Sequence, residues 1–407
     1  MTVSWILSRV LSPHYPDVLR PFRRRSPADS AVGSSAPPGS HAAPPAPYAS
    51  PSSGERTVMK NLFAIFCLLG FVHFTGGYSI ADEVQIRDPR FSPKNDKLAF
   101  NYCRKIVPCT VGLYDLTAGS LSYYQAPPNE IWADANFSPD GTKLTFIVIP
   151  IIDHKRDLTG QVAIMNVNGS GVRKLTASPN YKSLPSFSLD SKRIIYARAN
   201  KRREEGAKTP VAAYDVYEVD GDAGPERRLT NLALYEMSAP FYFPDGKHFI
   251  FASYGDACQR KQIVDTKTFD ELKRCEKQYK EQYQLNSIFI TVEGGDTSRP
   301  AFVNGDFSDA PHISNDGSKI LFVSRTNKMD GVHGLYNYDI FLRKDGVNNR
   351  LTRLGTFLYG IALSPDGTRV AFLSDKERKK KPTLWVMNAD GTGLTEIKLP
   401  KESKPIN

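Results

Sequence analysis

The sequence lacks the short motifs on which many enzymes depend. It has no Gly-x-Ser-x-Gly nucleophile elbow, no His-Glu-x-x-His, no phosphate-cradling loop and no Gly-x-Gly-x-x-Gly. Histidine is also scarce, with 7 among 407 residues. These absences exclude the common serine hydrolase, zinc protease and nucleotide-binding signatures. The sequence therefore predicts no catalytic residues and no cofactor.

The chain also has no apolar run long enough to cross a bilayer. Its longest run, Leu62 to Phe74, has about 13 residues, whereas a membrane helix needs about 20. Met59-Lys60 precedes this run and Ser79-Ile80-Ala81 follows it, which is the pattern of an export signal. The sequence predicts a signal peptide over 59–81, a mature chain over 82–407 and a periplasmic or secreted location.

Residues 1–58 are rich in Pro, Ser and Ala and have no apolar periodicity. Such a composition buries too little apolar surface to fold, so the segment is predicted to be disordered. Two interpretations stay open. Either Met59 is the true start and Met1 marks an over-extended reading frame, or the segment is a real leader ahead of a membrane-anchoring stretch.

Cysteine is rare, with 5 in the chain. Cys67 lies within the export signal, which leaves an even number in the mature chain, as expected for disulfides in an oxidising compartment. Three pairings are possible. We favour Cys103–Cys109 and Cys258–Cys275, because each pair lies within one loop. A Cys₄ metal site is disfavoured because the Cys-x-x-Cys spacing of structural zinc is missing.

A ten-residue pattern recurs six times at intervals of about 46 to 71 residues. Each copy joins a turn such as Ser138-Pro139-Asp140-Gly141 to a short apolar strand, and further strands and an Asn-Gly or Asp-Gly hairpin follow. Four antiparallel strands per repeat at this period indicate one propeller blade each. The sequence therefore predicts an all-β, six-bladed β-propeller. The copies are FSPKNDKLAF from Phe91, FSPDGTKLTF from Phe137, FSLDSKRIIY from Phe187, YFPDGKHFIF from Tyr242, ISNDGSKILF from Ile313 and LSPDGTRVAF from Leu363.

These six copies resemble the repeats of TolB-type, WD40-like propellers over roughly residues 85–400. The resemblance implies an exported bacterial protein. It departs from TolB in one respect. About ten residues separate the predicted cleavage site from the first repeat, so the α/β domain that precedes the TolB propeller is expected to be lacking. The segment Asp82–Ile86 is a candidate outer strand for closing the ring.

The long connections all fall on one side of the predicted ring, which we call the loop face. They join the second and third strands of each blade and cover about 103–110, 150–161, 198–213, 253–286, 325–337 and 375–382. They carry a net charge of about +10, against about +6 for the whole mature chain. The clusters that dominate this charge are Arg202-Arg203, Lys273-Arg274 and Lys379-Lys380-Lys381.

Aromatic residues fall in the connections between blades and are predicted to surround the axial opening on the loop face. They are Trp132, Tyr181, Tyr235, Phe307 and Tyr359. They form either a recognition ring or caps on the core between blades. The insertion 253–286 has a helical composition near Cys275 and is either a lid for partner docking or a decoration of blade 4.

The resulting interpretation is a monomeric, non-catalytic scaffold that binds an acidic envelope protein through its loop face. The alternatives are simple solvated loops, an acidic-glycan binder, or a metal-dependent polysaccharide lyase, since some similar propellers use axial histidines. Here only His312 is predicted near the axis, so a lyase site is disfavoured. No nucleic-acid partner and no metal are expected, although Asp134, Asp306 and Asp309 offer a possible structural calcium site.

Overall fold

A computed structural model describes most of the chain between Val84 and Ile406. The parts within that span that it does not describe are 105–106, 154, 203–209, 235, 255–285, 296–299, 303, 305–306, 328–336, 357 and 375–381. The predicted leader and signal peptide, the Cys258–Cys275 pair and the helical insertion lie outside the described residues.

The described residues form six small antiparallel sheets, each a blade, in chain order. In each blade the first strand is the inner one. Blade 1 contains β1 Gln85–Phe91, β2 Lys97–Arg104, β3 Val107–Asp115 and β4 Ser120–Tyr124; blade 2 contains β5 Glu130–Phe137, β6 Lys143–Ile152, β7 Lys155–Arg156, β8 Gln161–Asn166 and β9 Arg173–Lys174; blade 3 contains β10 Tyr181–Phe187, β11 Arg193–Arg202, β12 Val211–Asp220 and β13 Arg227–Arg228. Blade 4 contains β14 Glu236–Tyr242, β15 Phe249–Tyr254 and β16 Asn286–Thr291; blade 5 contains β17 Ser308–Ile313, β18 Lys319–Asn327, β19 Asn337–Lys344 and β20 Val347–Arg350; blade 6 contains β21 Leu358–Leu363, β22 Arg369–Ser374, β23 Thr383–Asn388 and β24 Thr395–Ile397; β25 Lys404–Ile406 follows. The prediction of a six-bladed propeller is confirmed.

The recurring Ser-Pro-Asp-Gly turn is held by its own side chains. In blade 2 the Ser138 hydroxyl donates to Asp140 (2.6 Å) and accepts the backbone N–H of Lys143 (2.9 Å). Gly141 takes a φ of 73°, as the turn requires. Asn95 and Ser191 occupy the same place with φ of 57° and 59°, so even the loosest copy keeps the geometry. The side of the ring that carries these turns is the turn face.

The six hydrophobic clusters of the core lie between blades rather than inside them. One cluster joins Phe91 and Phe100 of blade 1 to Val386 of blade 6, and the others likewise join residues of successive blades. The last residue of every ten-residue copy is fully buried. Each such ring contributes roughly 2–3 kcal/mol by burial. These residues are Phe100, Phe146, Tyr196, Phe251, Phe322 and Phe372.

Basic side chains tie neighbouring turns together on the turn face. In three of the six copies, the seventh residue donates to a backbone carbonyl in the turn of the next blade. The three bonds are Arg193 to Gly246 (3.2 Å), Lys319 to Gly367 (2.7 Å) and Arg369 to Asn95 (3.1 Å). The last of these crosses from blade 6 to blade 1, so this device also spans the point where the ring closes.

The ring is closed differently from the sequence prediction. Of the candidate outer strand Asp82–Ile86, residues Gln85 and Ile86 lie in β1, which is the inner strand of blade 1 and pairs with β2, so they do not supply an outer strand; residues 82 and 83 lie outside the described residues. The extra outer strand is β25, which pairs parallel with β4 through Lys404, Pro405 and Ile406. Blade 6 is complete without help, with β21 to β24 in order. The C-terminal segment therefore returns across the closure to extend blade 1.

Two of the predicted connections on the loop face, 103–110 and 198–213, are partly strand, whereas the strands that flank 375–382 end and begin where the sequence predicts. The segment 103–110 is largely strand, because β2 continues to Arg104 and β3 begins at Val107. A disulfide joins Cys103 and Cys109 across these two paired strands, as predicted. Likewise β11 continues to Arg202 and β12 begins at Val211, so Arg202 lies on a strand rather than in a loop. No helix in the described residues is long and apolar enough to span a membrane.

Removal of β25 is expected to destabilise the propeller. Truncation after Leu399 removes the parallel pairing with β4, the hydrogen bond between Ser403 and Tyr102, and the partly buried Ile406. We expect a loss of about 2 kcal/mol in unfolding free energy, measured by urea denaturation. As a matched control, Lys404→Ala, at an exposed position of the same strand, should change it by less than about 0.5 kcal/mol. Equal effects of truncation and control would contradict the role of β25 in closure.

Candidate functional site

The inner strands share an unusual backbone feature midway along the axis. Each contains one residue with positive φ, next to a shift in the register of its pairing with the second strand. These residues are Asp88, Asp134, Leu184, Ala239, Ala310 and Gly360. Positive φ is uncommon for residues other than glycine and, in a strand, marks a β-bulge. The inner strands have a free edge toward the axis, and a bulge at that edge prevents further strand pairing.

A carboxylate pair lies beside these bulges in blades 1 and 2. Asn101 connects them, because its Nδ2 donates to Asp88 (3.0 Å) and its Oδ1 accepts the N–H of Asp134 (2.7 Å). The side-chain Oδ2 of Asp134 accepts a hydrogen bond from the backbone N–H of Leu184 in blade 3 (3.1 Å). Burial, and then the nearby charge of Asp134, raise the pKa of Asp88 to about 6. The middle of the axis is therefore acidic and tightly held.

The aspartates proposed for calcium do not form one group among the described residues. Asp134 is on blade 2, whereas Asp309 is on blade 5 and accepts hydrogen bonds from Ser238 (2.5 Å) and from the N–H of Ala310 (2.7 Å). Asp306 lies outside the described residues. Within the described ranges, no set of three His, Cys, Asp or Glu side chains is close enough to hold a metal ion. Calcium binding stays a prediction.

A cavity opens on the turn face around the axis, and we call it the axial cavity. It has a volume of about 90 Å³ and is lined by residues from all six blades. Prolines of the turns, among them Pro93, Pro139 and Pro365, form its rim, and Arg90 and His312 lie on its wall. Such a concave site with an apolar rim and a few polar groups is typical of ligand binding.

His312 is the buried titratable side chain of the axial cavity with an imidazole ring, and 5% of its surface is exposed. Burial, and then the nearby charge of Arg90, hold the pKa of this imidazole well below its usual value. The ring is therefore neutral at pH 7 and keeps one N–H donor and one nitrogen acceptor. It packs against Phe241, with 4.9 Å between the ring centroids. The prediction that His312 lies near the axis is confirmed.

A smaller cavity of about 20 Å³ lies toward the loop face and is lined by residues of blades 1, 2 and 3, with room for about one water molecule. Its wall includes Lys182, whose side chain is fully buried. Burial lowers the pKa of Lys182 to about 8. The ammonium group is surrounded by acceptors, the nearest being the carbonyl of Ser178 at 2.7 Å. These contacts give the buried ammonium group of Lys182 a structural role in blade 3.

Arginine side chains stack on aromatic rings at both ends of the blades. Three of these arginines, Arg193, Arg343 and Arg369, lie toward the turn face, and five others lie along the strands or toward the loop face. The guanidinium carbon lies 4.4 to 6.0 Å from the ring centroid in five pairs. This is the range of cation–π attraction, and it fixes the orientation of a charge that would otherwise move with its flexible side chain. The pairs are Arg87 with Tyr359, Arg104 with Tyr123, Arg156 with Tyr181, Arg198 with Tyr217 and Arg325 with Phe307.

The structure places the predicted binding residues in different environments. Trp132 and Tyr181 are each 5% exposed, and Trp132 packs on Phe146 with 4.8 Å between centroids. Both rings therefore fill the space between blades in this conformation. Tyr359 is half-buried under Arg87, and the Arg202 side chain is 58% exposed, 3.5 Å from Asp157. Arg203, Tyr235, Lys273, Arg274, Lys379, Lys380 and Lys381 lie outside the described residues. Partner binding by these side chains stays a prediction.

Sequence reasoning missed the axial cavity, although a signal for it was present. When the six copies are aligned, the residue just before each copy is different in every blade. The residues that follow it, at the start of each copy, are of the same apolar or aromatic kind. Structural positions recur because every blade needs them. The repeated backbone therefore does not dictate which residue occupies a position that varies among equivalent blades. The six residues are Arg90, Asn136, Ser186, Phe241, His312 and Ala362.

Comparison with known proteins places the chain by fold. No protein-family model matches it. The uncharacterized peptidase YuxL of Bacillus subtilis is 24% identical over 201 residues, which are 42% of this chain and 30% of YuxL. TolB from Acinetobacter baumannii superposes with a TM-score of 0.51 at 18% identity, over 77% of this chain and 62% of that protein. An oligogalacturonate lyase from Vibrio parahaemolyticus gives a TM-score of 0.48 at 12% identity, over 77% of this chain and 78% of the lyase.

The chain thus spans less than two thirds of the length of YuxL and of that TolB. At these identities the likeness concerns the fold. The described residues form a TolB-like propeller, as the repeats indicated.

Asp88 is expected to lower the stability of the protein at neutral pH. The pKa of Asp88 is about 6 in the folded state, whereas its ordinary value, which applies to the unfolded chain, is 3.8. Between these two pH values the folded state therefore binds more protons than the unfolded state. Stability from this group is therefore lost as pH rises from about 4 to 6. We expect Asp88→Asn, which keeps a side chain tolerant of positive φ, to stabilise the protein by about 1–3 kcal/mol at pH 7.5.

The control for this prediction is Asp316→Asn in the turn of blade 5. A hydrogen bond from Ser314, and then one from the N–H of Ser318, lower the pKa of Asp316 to about 2. This carboxylate stabilises the fold at neutral pH, so its replacement should have the opposite sign. Urea unfolding at pH 4.5 and 7.5 measures both effects. Destabilisation by Asp88→Asn at pH 7.5 would show that the aspartate is not penalised by its surroundings.

Proposed function

We propose that this protein is an exported, non-catalytic propeller that binds an acidic protein surface in the cell envelope through its loop face. The observation that carries the proposal is the set of arginine–aromatic pairs along the described strands and toward the loop face. Arg193 and Arg369 also stack on rings at the turn face, but there they donate to carbonyls of the next blade. Arginine and aromatic side chains are the residues most enriched at energetically important interface positions. Here they occur together, on five of the described rings.

Fixed arginines suit the recognition of carboxylates. A guanidinium presents a planar fork of donors, and stacking on a ring lowers the entropy lost when it binds. The guanidinium carbon of Arg104 lies 4.6 Å from the ring centroid of Tyr123, and that of Arg325 lies 5.1 Å from the ring centroid of Phe307. The two belong to blades 1 and 5, so the charges are spread around the opening. A partner with several acidic residues would contact more than one blade.

Part of the positive charge on the turn face is used within the ring. On the turn face, Arg193, Lys319 and Arg369 donate to carbonyls of the next blade. These cations therefore serve the packing of the ring. On the loop face, Arg202 is 58% exposed and the lysine run 379–381 adds further charge in sequence. A long-range field from this face would steer acidic partners toward it.

Export agrees with the chemistry of the cysteines. The Cys103–Cys109 disulfide forms and persists in an oxidising compartment, and such bonds are rare in the cytosol. The apolar segment from Leu62 to Phe74, with its small-residue site at Ser79-Ile80-Ala81, supplies the signal that the proposal requires. We therefore infer a periplasmic or secreted location.

A second candidate is an acidic-glycan binder or lyase, because basic residues beside aromatic rings also suit sugar acids. The two described histidines do not favour the lyase. His248 shares a hydrogen bond with Asp245 on the exposed turn, whereas His312 lies in the axial cavity. The likeness to the oligogalacturonate lyase concerns the fold alone. The glycan alternative therefore serves as an outcome of the test below.

The test is capture of partners from cell-envelope extract by the full-length expressed protein, tagged after Asn407, with chemical crosslinking at low and high salt. We expect a defined acidic protein at low salt, and at least about tenfold less of it at high salt, because exposed charge pairs are screened. Lys379→Glu, Lys380→Glu and Lys381→Glu combined should reduce capture similarly.

The matched control reverses the same number of charges on the turn face, with Lys94→Glu, Lys192→Glu and Lys247→Glu, all at exposed positions. It should capture the partner as well as the unmodified protein. Loss of capture in the control alone would place the interface on the turn face and overturn the proposal. Capture that survives digestion of the extract with protease, but not removal of its polysaccharide, would support the glycan alternative instead.

A further inference from the structure

The axial cavity carries three polar side chains that each keep hydrogen-bonding atoms without a partner among the described residues. Arg90 donates from Nη1 to the carbonyls of Pro89 (2.8 Å) and Ile361 (3.4 Å). In the described part of the chain, its Nε and Nη2 make no hydrogen bond, and neither do the ring nitrogens of His312 or the amide of Asn136. All three residues line the cavity.

These groups are not sealed off from the cavity. Buried polar atoms that have no partner occur elsewhere among the described residues, such as the hydroxyl of Ser183, but none belongs to Arg90, Asn136 or His312. Their unpaired atoms therefore retain contact with the cavity. His312 is nevertheless 5% exposed, so its nitrogens face the cavity and little else. Unpaired donors at the bottom of a concave site would bind an acceptor there with little reorganisation.

The charges around the cavity favour a negatively charged acceptor. Arg90 has no ion pair within 4.0 Å among the described residues, although Asp88 and Asp134 attract it through space. Both aspartates precede the cavity-lining residue of their own strand by two positions, so they lie deeper along the axis than Arg90 and Asn136. A ligand that enters from the turn face therefore reaches a guanidinium, a neutral imidazole and an amide before it reaches the aspartates. This set of donors matches a carboxylate.

The rim adds a preference for an apolar body. Pro93, Pro139, Pro244 and Pro365 surround the opening, with Leu189 in the equivalent place of blade 3. A volume of about 90 Å³ accepts a carboxylate and part of the group that carries it. The remainder of a ligand would lie against the prolines. The same rim would disfavour a strongly hydrated ligand such as a polyanionic sugar.

We propose that the axial cavity binds a carboxylate attached to an apolar group, with Arg90, Asn136 and His312 as the donors. The site lies on the turn face, opposite the surface assigned to the protein partner, so the two proposals stand or fall separately. The carboxylate would come from a small organic acid or from the C-terminus of a peptide. Both ligands present a carboxylate to Arg90. They differ in the part of the molecule that extends past the proline rim.

The test uses benzoate as the probe and benzamide, its neutral isostere, as the matched ligand. Titration of the full-length protein is followed by the NMR signal of the His312 ring, with binding confirmed calorimetrically. We expect saturable shifts with benzoate and none with benzamide. Arg90→Met, which keeps the length of the side chain, should weaken benzoate binding by about tenfold or more, since one charge-assisted hydrogen bond is lost.

Two further variants keep the test decisive. Lys192→Met removes a charge from an exposed position on the same face and should bind benzoate normally. His312→Phe keeps the packing against Phe241 and should weaken binding even if Arg90→Met fails to fold. Equal binding of benzoate and benzamide, no saturation by benzoate, or equal weakening by Lys192→Met would overturn the proposal.

The source of the carboxylate is separated by a pair of short peptides ending in Phe, one with a free C-terminus and one amidated. Binding of the free acid alone, more tightly than benzoate, would assign the site to a peptide terminus. Binding of benzoate without either peptide would assign it to a small acid. Both results support the carboxylate site, whereas binding of the amidated peptide alone would contradict it.

Discussion

Everything in this structure depends on burial between blades. A four-stranded blade has two apolar faces and cannot cover either of them by itself. Each of the six core clusters therefore combines residues of successive blades, and the cluster with Phe91, Phe100 and Val386 joins the last blade to the first. The ring gains its full stability only when that last contact is made. The bond from Arg369 to Asn95 and the pairing of β25 with β4 reinforce it from the turn face and from the outer rim.

Closure of the ring also creates the problem that the axis must solve. Six inner strands meet there, each with one edge that pairs with no further strand among the described residues. The bulges stop further pairing, and a proline follows the positive-φ residue in four of the six strands: Pro89, Pro185, Pro240 and Pro311. Proline has no N–H to leave unpaired at a strand edge. Because the backbone is blocked in this way, side chains such as Asp88 and Arg90 are left to determine the chemistry of the axis.

The sequence was sufficient to predict the elements that are encoded locally. The turn needs Ser138, Asp140 and Gly141 within four residues, and these contacts recur in most copies, so the number of blades follows from counting turns. The Cys103–Cys109 pair was predictable for the same reason. By contrast, β25 is three residues long and pairs with a strand about 280 positions earlier in the chain. No local pattern announces such a pairing, and the candidate strand at the other end of the chain was therefore wrong.

The axial cavity was harder to predict because its residues lie about fifty positions apart and converge only when the ring closes. Loop length directed attention to the opposite face, since long loops usually carry function. Repetition offers a better criterion for a propeller. Positions that the scaffold needs are repeated in every blade, so the positions before Phe91 and Ile313, occupied by Arg90 and His312, stand out because their equivalents include Ser186 and Ala362. In a closed ring of near-identical units, chemical identity lies where the units differ, and those positions meet at the axis.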